Sequence, residues 1–293
     1  MGDDPQTLPN GAAEQSDHVL EALRVVHNPR SPNEHRRQAS DYLEQTRNLD
    51  AAPEQGFLLA VNRQQEPIVR HYGLSLIDHA IRYKWLEYSR EQNAAVRGWV
   101  LELANRVSGE DPPYIKNKIA DLWVEIAKRS WAVDWMDMDE LLSKLWGGHV
   151  DQQLIVLKIL EVLSEDVFTA EDSVAALRGS DLNRACVEIF VPADVLTEQF
   201  PNRETSINVR HGTDGWISRL SHVLGEITSP QGQIAKIQED LALKSLAVLR
   251  SLVSWIIPKA LIVAQTIERL CSCLAVSNLG IQFVLLHSSL SAV

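Results

Sequence analysis

Cysteine is scarce in this sequence, and so are the spacings that put cysteine to chemical use. Three thiols occur in 293 residues: Cys186, Cys271 and Cys273. An odd number with a C-x-C spacing is not a paired zinc-knuckle pattern, so buried free thiols in a reducing compartment are the expected state. No N-x-S/T acceptor occurs. The first 16 residues are polar and rich in Asp, Gln, Pro and Gly. They predict a loose leader over 1–16 rather than a secretory signal, and hence an intracellular protein. Long apolar runs are missing too. The most apolar stretch, 246–267, is broken by Arg250, Pro258 and Lys259, which predicts a pair of buried helices and no membrane insertion.

Positive charge is also in short supply. Asp plus Glu number 39 against 28 for Lys plus Arg, a formal net charge of −11. An acidic surface repels phosphate backbones, which excludes general nucleic-acid binding by this segment alone, and it favours basic protein partners. The sequence lacks a G-x-x-x-x-G-K-[ST] phosphate loop, an H-E-x-x-H zinc pair and a G-x-S-x-G elbow. His71 and His79 fall two helical turns apart, too far to share a metal. His149 and Asp151 follow Gly147-Gly148 and predict a helix cap. Glu110-Asp111, Asp137 with Asp139, and Glu165-Asp166 predict caps and solvated charges. No catalytic constellation emerges, so the expectation is a protein that is not an enzyme and has no metal site.

Helices, by contrast, are clearly marked. Val and Ile fall at helical spacing rather than in alternation. Ser31-Pro32-Asn33-Glu34 has a capping-box pattern with proline in the first turn, and Glu66-Pro67 and Pro112-Pro113 repeat the punctuation. Pro67 and Pro113 are 46 positions apart, and so are Trp85 and Trp131. A two-helix unit recurring every ~40–47 residues is the HEAT/armadillo signature. After Pro67, an apolar stripe of Val69, Tyr72, Leu76, Ala80 and Tyr83 is widened by Leu74, Ile77, Ile81 and Trp85, opposite a polar face of His71, Ser75, Asp78 and Arg82. After Pro113, Ile115, Ile119, Leu122, Trp123 and Ile126 are the expected buried set, with Lys118, Asp121, Glu125 and Lys128 outside. Sectors this wide need stacked neighbours on both sides.

The predicted fold is all-α, a right-handed α-solenoid of HEAT-type helix pairs. The pairs are expected at 17–27 with 32–48, 53–62 with 67–88, 90–107 with 113–130, and 137–146 with 150–168. An irregular insertion loop over 169–215, holding one helix near 181–190, then interrupts the rhythm. Further repeats are expected over 216–293.

Wording as well as spacing is distinctive. The run Ile68-Val69-Arg70-His71-Tyr72-Gly73-Leu74, continuing to Tyr83-Lys84-Trp85, resembles the early B helix of exportin-5-type nuclear export receptors of the importin-β (karyopherin) superfamily. Trp123-Val124-Glu125-Ile126-Ala127-Lys128-Arg129-Ser130-Trp131 with Trp135, and 157–167, resemble the same family; 242–255 is a weaker echo. The resemblance is good over 17–168 and patchy beyond, and complete members are several times longer. It implies a shuttling carrier of nucleus and cytoplasm. Such a carrier binds Ran-GTP through its N-terminal B helices, carries RNA or phosphoprotein cargo, and meets the Phe-Gly repeat proteins of nuclear pores. The resemblance implies that the GTP belongs to Ran and that this chain needs no cofactor of its own. The helices starting at Pro32, Pro67 and Pro113 are the ones so placed. Their exposed polar residues are the candidate Ran contacts: Arg36, Arg37, Arg70, His71, Arg82, Lys116, Lys118, Asp121 and Glu125. Trp85, Trp123, Trp131 and Trp135 are expected in the core. The competing expectation is a HEAT scaffold or adaptor without GTPase dependence.

Overall fold

A computed structural model of the chain describes residues 10–169, 172–202, 214–227 and 235–275, with side chains from residue 17. Fifteen α-helices and no β-strand occur among the described residues. The chain divides into two compact units, Met1–Arg106 with Asp111–Leu122, and Val107–Glu110 with Trp123–Val293.

The first unit holds α1 Asn10–His27, α2 Asn33–Thr46, α3 Ala52–Val61, α4 Pro67–His79, a π turn at Ala80–Lys84, α5 Arg90–Asn105 and the first part of α6 Pro113–Ser130. The helices α1 and α2 pack as one hairpin, and α3 and α4 as the next. Val19 and Leu23 of α1, Leu43 of α2, Leu59 of α3, and Val69 and Leu76 of α4 share one core. No single pair could cover this apolar surface, which is why the hairpins stack. Gly56 and Gly73 let α3 and α4 touch backbone to backbone. A Cβ on Gly73 would stand 2.5 Å from the Gly56 carbonyl oxygen, and one on Gly56 2.5 Å from that of Gly73.

The second unit holds the rest of α6, α7 Met138–Trp146, α8 Val150–Phe168, α9 Ser173–Leu177, α10 Gly179–Phe190, α11 Ala193–Gln199, α12 Gly215–Ile227, α13 Lys236–Leu252, α14 Pro258–Val263 and α15 Thr266–Leu274. Here α7 pairs with α8, α8 with α13, and α12 with both α13 and α15. Trp123, Trp131 and Trp135 are almost wholly buried, and the rings of Trp123 and Trp135 lie 5.3 Å apart. No helix among the described residues is long and apolar enough to cross a membrane.

Several expectations need correction. The Ser31 capping box does not form. Extended Pro32 takes the N-cap position of α2, without a side-chain cap, and leaves Ser31 one residue too far back. Arg36 closes the turn instead, donating to the carbonyls of Asn28, Pro29 and Ser31. The box forms at Ser89 and Gln92 of α5. The helix α1 begins at Asn10, inside the expected leader, whose residues 1–9 lie outside the described residues. Three helices, α9 to α11, occupy the expected insertion loop, of which 170–171 and 203–213 are outside the described residues. The expected buried pair within 246–267 is half surface. Ala260 is buried in α14, but Ile262 and Val263 are exposed. Residues 276–293 are outside the described residues. Cys186 and Cys273 are buried thiols, whereas Cys271 is exposed. Asp139 is no solvated charge, for it lies buried and accepts the indole N–H of Trp216 at 2.8 Å.

Two errors concern helix faces. Tyr83 belongs to the expected apolar stripe, yet it is 70% exposed. Its phase with Leu76 and Ala80 presumes an unbroken α-helix. The π turn, with its i→i+5 bonding, inserts a residue and rotates the positions after it. Glu125 and Lys128 belong to the expected polar stripe, yet they are buried. The C-terminal half of α6 is buried nearly all round, so its polar residues lie in the interior and pair there.

Candidate partner-binding face

In the first unit the run around Arg70 proves to be a joint between repeats. Pro67 opens α4 at its first turn, where the missing N–H costs nothing. Five residues on, Tyr72 donates its hydroxyl to the Leu43 carbonyl on α2 at 2.9 Å, and burial pushes its phenol up to about 12. Arg70 is buried. It donates to the Ala60 carbonyl at 3.0 Å and to Asp111 at 2.5 Å. Arg63 reaches the same carboxylate at 3.3 Å and also donates to the Arg106 carbonyl. The expectation that Arg70 is exposed and reaches out to a partner is therefore corrected. A buried guanidinium needs its charge answered at once, and Asp111, 2% exposed, answers it.

The outward residues of α4 and α6 do converge. Asp78 stands between two cations, Arg82 Nε at 3.0 Å on its own helix turn and Lys118 Nζ at 2.9 Å on α6. His71, half-buried on α4, meets Tyr114 of α6 edge-on, with ring centroids 5.5 Å apart. Burial first, and the Lys118 charge second, lower the His71 pKa below its ordinary value, which favours neutral imidazole. Lys116 and Asp121 are half-buried on α6. On α2, Arg37 is exposed and faces Asp41 at 4.0 Å. Arg36 is spent on the α1–α2 turn, so it holds a loop rather than offering a contact.

Glu125 belongs to the second unit. It is 5% exposed and is held by Lys128 and Arg129, each at 2.6 Å. Lys128 also reaches Asp166 and Asp172, both at 2.8 Å. Glu125, Asp166 and Asp172 converge as cation ligands do, but the cation at their centre is the chain's own ammonium. Burial alone would lower the Lys128 pKa; the three carboxylates outweigh it and raise it. Asp172 shows the converse. Burial opposes its charge, yet Lys128 and the Ala175 N–H hold its carboxyl below the usual range.

Sequence reasoning placed Asp78 on the polar face but not between its two cations, left Tyr114 unmentioned and put Tyr83 in the apolar stripe. For Tyr83 a signal existed: it lies two residues from Trp85, and residues at i and i+2 cannot share one helix face. One of the two had to turn outward.

Comparison with known proteins agrees with this architecture. Residues 112–191 match the family described as Exportin 1-like protein, a span that runs from the start of α6 through α10. Protein MSN5 of Saccharomyces cerevisiae is 27% identical over 275 residues, 88% of this chain and 22% of that protein. Exportin-5 of Mus musculus is 30% identical over 154 residues, 52% of this chain and 13% of that protein. Exportin-5 of Homo sapiens matches to the same extent. The chain thus spans about a fifth or less of the length of these relatives. By these similarities and its all-helical hairpin fold, the chain is similar to part of the exportins, the exportin-5 type among them.

Proposed function

We propose that the chain supplies repeats of a nuclear export receptor that bind Ran in its GTP form through the outward faces of α2, α4 and α6. The observation that carries this reading is the similarity to exportin-5 over half the chain. The polar face of His71, Asp78, Arg82 and Lys118 on successive B helices supports it. The GTP belongs to Ran, and the chain acts as a carrier rather than a catalyst, shuttling between nucleus and cytoplasm past Phe-Gly repeat proteins. Its cargo is a phosphorylated protein or structured RNA. The net charge of −11 weighs against this segment gripping RNA by itself.

A pull-down with Ran locked in its GTP form, against Ran-GDP, tests the proposal. Retention of the GTP form alone is the expected result. Binding blind to nucleotide would point to a scaffold instead, and no binding by the folded chain would remove the Ran assignment.

A further inference from the structure

Between α10 and the end of α11, within the second unit, lies a groove of about 580 Å³. Its floor is apolar. Val187 of α10, Leu196 of α11, and Phe200 and Pro201 just past α11 form it. Leu196 is buried, but Phe200 stays 46% exposed, so apolar surface is left over for an occupant. Three primary amides stand on the rim: Asn183, Gln199 and Asn202. None of the three hydrogen-bonds another described residue. Arg184, the cation among the lining residues, faces Asp181 at 3.5 Å, and a buried acid, Glu188, also lines the groove.

That chemistry decides among occupants. A phosphate calls for a spare cation, and Arg184 already has its carboxylate while Glu188 repels an anion. A partner helix satisfies its own backbone and brings only side chains to a groove, so it has no use for a rim of amides. An extended peptide carries an N–H and a C=O on each residue that still need partners. A primary amide can donate to one and accept from the other. A small apolar ligand would be enclosed over most of its surface, whereas Asn183, Gln199, Phe200, Pro201 and Asn202 are all exposed and leave this groove open along one side.

We propose that the groove takes an extended, uncharged peptide segment of a partner protein, with one aliphatic side chain seated on Leu196 and Phe200 and the main chain held by the amides of Asn183 and Gln199. The inference concerns the second unit alone and does not rest on the Ran reading, which the Ran pull-down tests separately.

The probe is a fluorescent, end-capped peptide, Ser-Gly-Leu-Gly-Ser, titrated by anisotropy into the 293-residue chain. Serine in place of the leucine should weaken binding roughly 10-fold, the scale of losing one buried aliphatic side chain. Phe200→Ala, at an exposed position, should weaken the leucine peptide about 5-fold without moving the thermal midpoint. Methylating the peptide nitrogens on either side of the leucine should cost about 5-fold, the scale of one hydrogen bond. In the double variant Asn183→Ala with Gln199→Ala that cost should shrink to within about twofold, because the partners of the main chain are gone. If the leucine and serine peptides bind alike, or neither binds, the proposal is overturned. An undiminished methylation cost in the double variant overturns the main-chain contact. Uptake of anilinonaphthalene sulfonate at Phe200 with no binding of the peptide would give the groove to a small apolar ligand instead and likewise overturn the proposal.

Discussion

Replacing Lys128 with methionine isolates the charge knot of the second unit. Methionine keeps most of the buried stem and removes only the ammonium. The Lys128 side chain is 1% exposed and serves Glu125, Asp166 and Asp172 at 2.6 to 2.8 Å. Breaking a buried ion pair from one side costs about 3–5 kcal/mol, because the partners keep their desolvation without its compensation. Two facts favour the lower end. Glu125 keeps Arg129 at 2.6 Å, and the carboxylates of Asp166 and Asp172 are about a quarter exposed, so water recovers part of the loss. A loss of about 3 kcal/mol at pH 7 is expected, read by urea unfolding and by amide exchange in α8. The pH dependence gives a second handle. The folded pKa of Asp172 lies below its ordinary value. Its contribution is therefore present above the unfolded pKa and lost as pH falls through the folded one. Lys128→Met lacks that contribution, so the gap to the unaltered protein should narrow on acidification below about pH 4. A cost under about 1 kcal/mol at pH 7, or a gap that does not narrow in acid, refutes the reasoning.

Gly73→Ala should destabilise the first unit. The added methyl meets the Gly56 oxygen and the Ala60 nitrogen, both backbone atoms, and overpacking of about 1–3 kcal/mol exceeds the gain of about 1 kcal/mol in helix propensity; thermal unfolding measures the difference. Asp111→Asn should cost about 3 kcal/mol, since Arg63 and Arg70 both lean on that carboxylate, and faster proteolysis of the α3–α4 turn is the expected sign. The lowered pKa of His71 means stability is full above its ordinary value near 6.5 and declines as pH falls through the lower folded value. His71→Gln should abolish that acid-side slope, and imidazole titration by NMR should place His71 below its ordinary value.

Much of the architecture was legible because proline and periodicity act locally. Pro67 and Pro113 mark the starts of α4 and α6 as expected, and the apolar residues at helical spacing in α6 are buried. What failed to show was whatever depends on neighbours in space. The π turn leaves no mark in composition, and the spacing of Tyr83 from Trp85 says only that one of the two faces outward, not which. Lys128 and Glu125 look like an ordinary i,i+3 surface pair until Asp166 and Asp172, some forty residues away, are brought against them. Of the candidate contacts, Arg82 and Lys118 come together through Asp78 because they lie on adjacent helices. Arg36, Arg70 and Glu125 are claimed by the chain itself.

The joint at Arg70, Tyr72 and Gly73 separates what makes this stretch recognisable from what makes it useful. Arg70 and Tyr72 fasten one hairpin to its neighbours with their polar atoms, and Gly73 closes that hairpin on itself by its lack of bulk. The outward positions beyond them, such as Arg37 on α2, take no part in these three contacts. A lineage could therefore re-letter the exposed positions to suit a new companion and still spell the same word along the hinge-pin of its repeats.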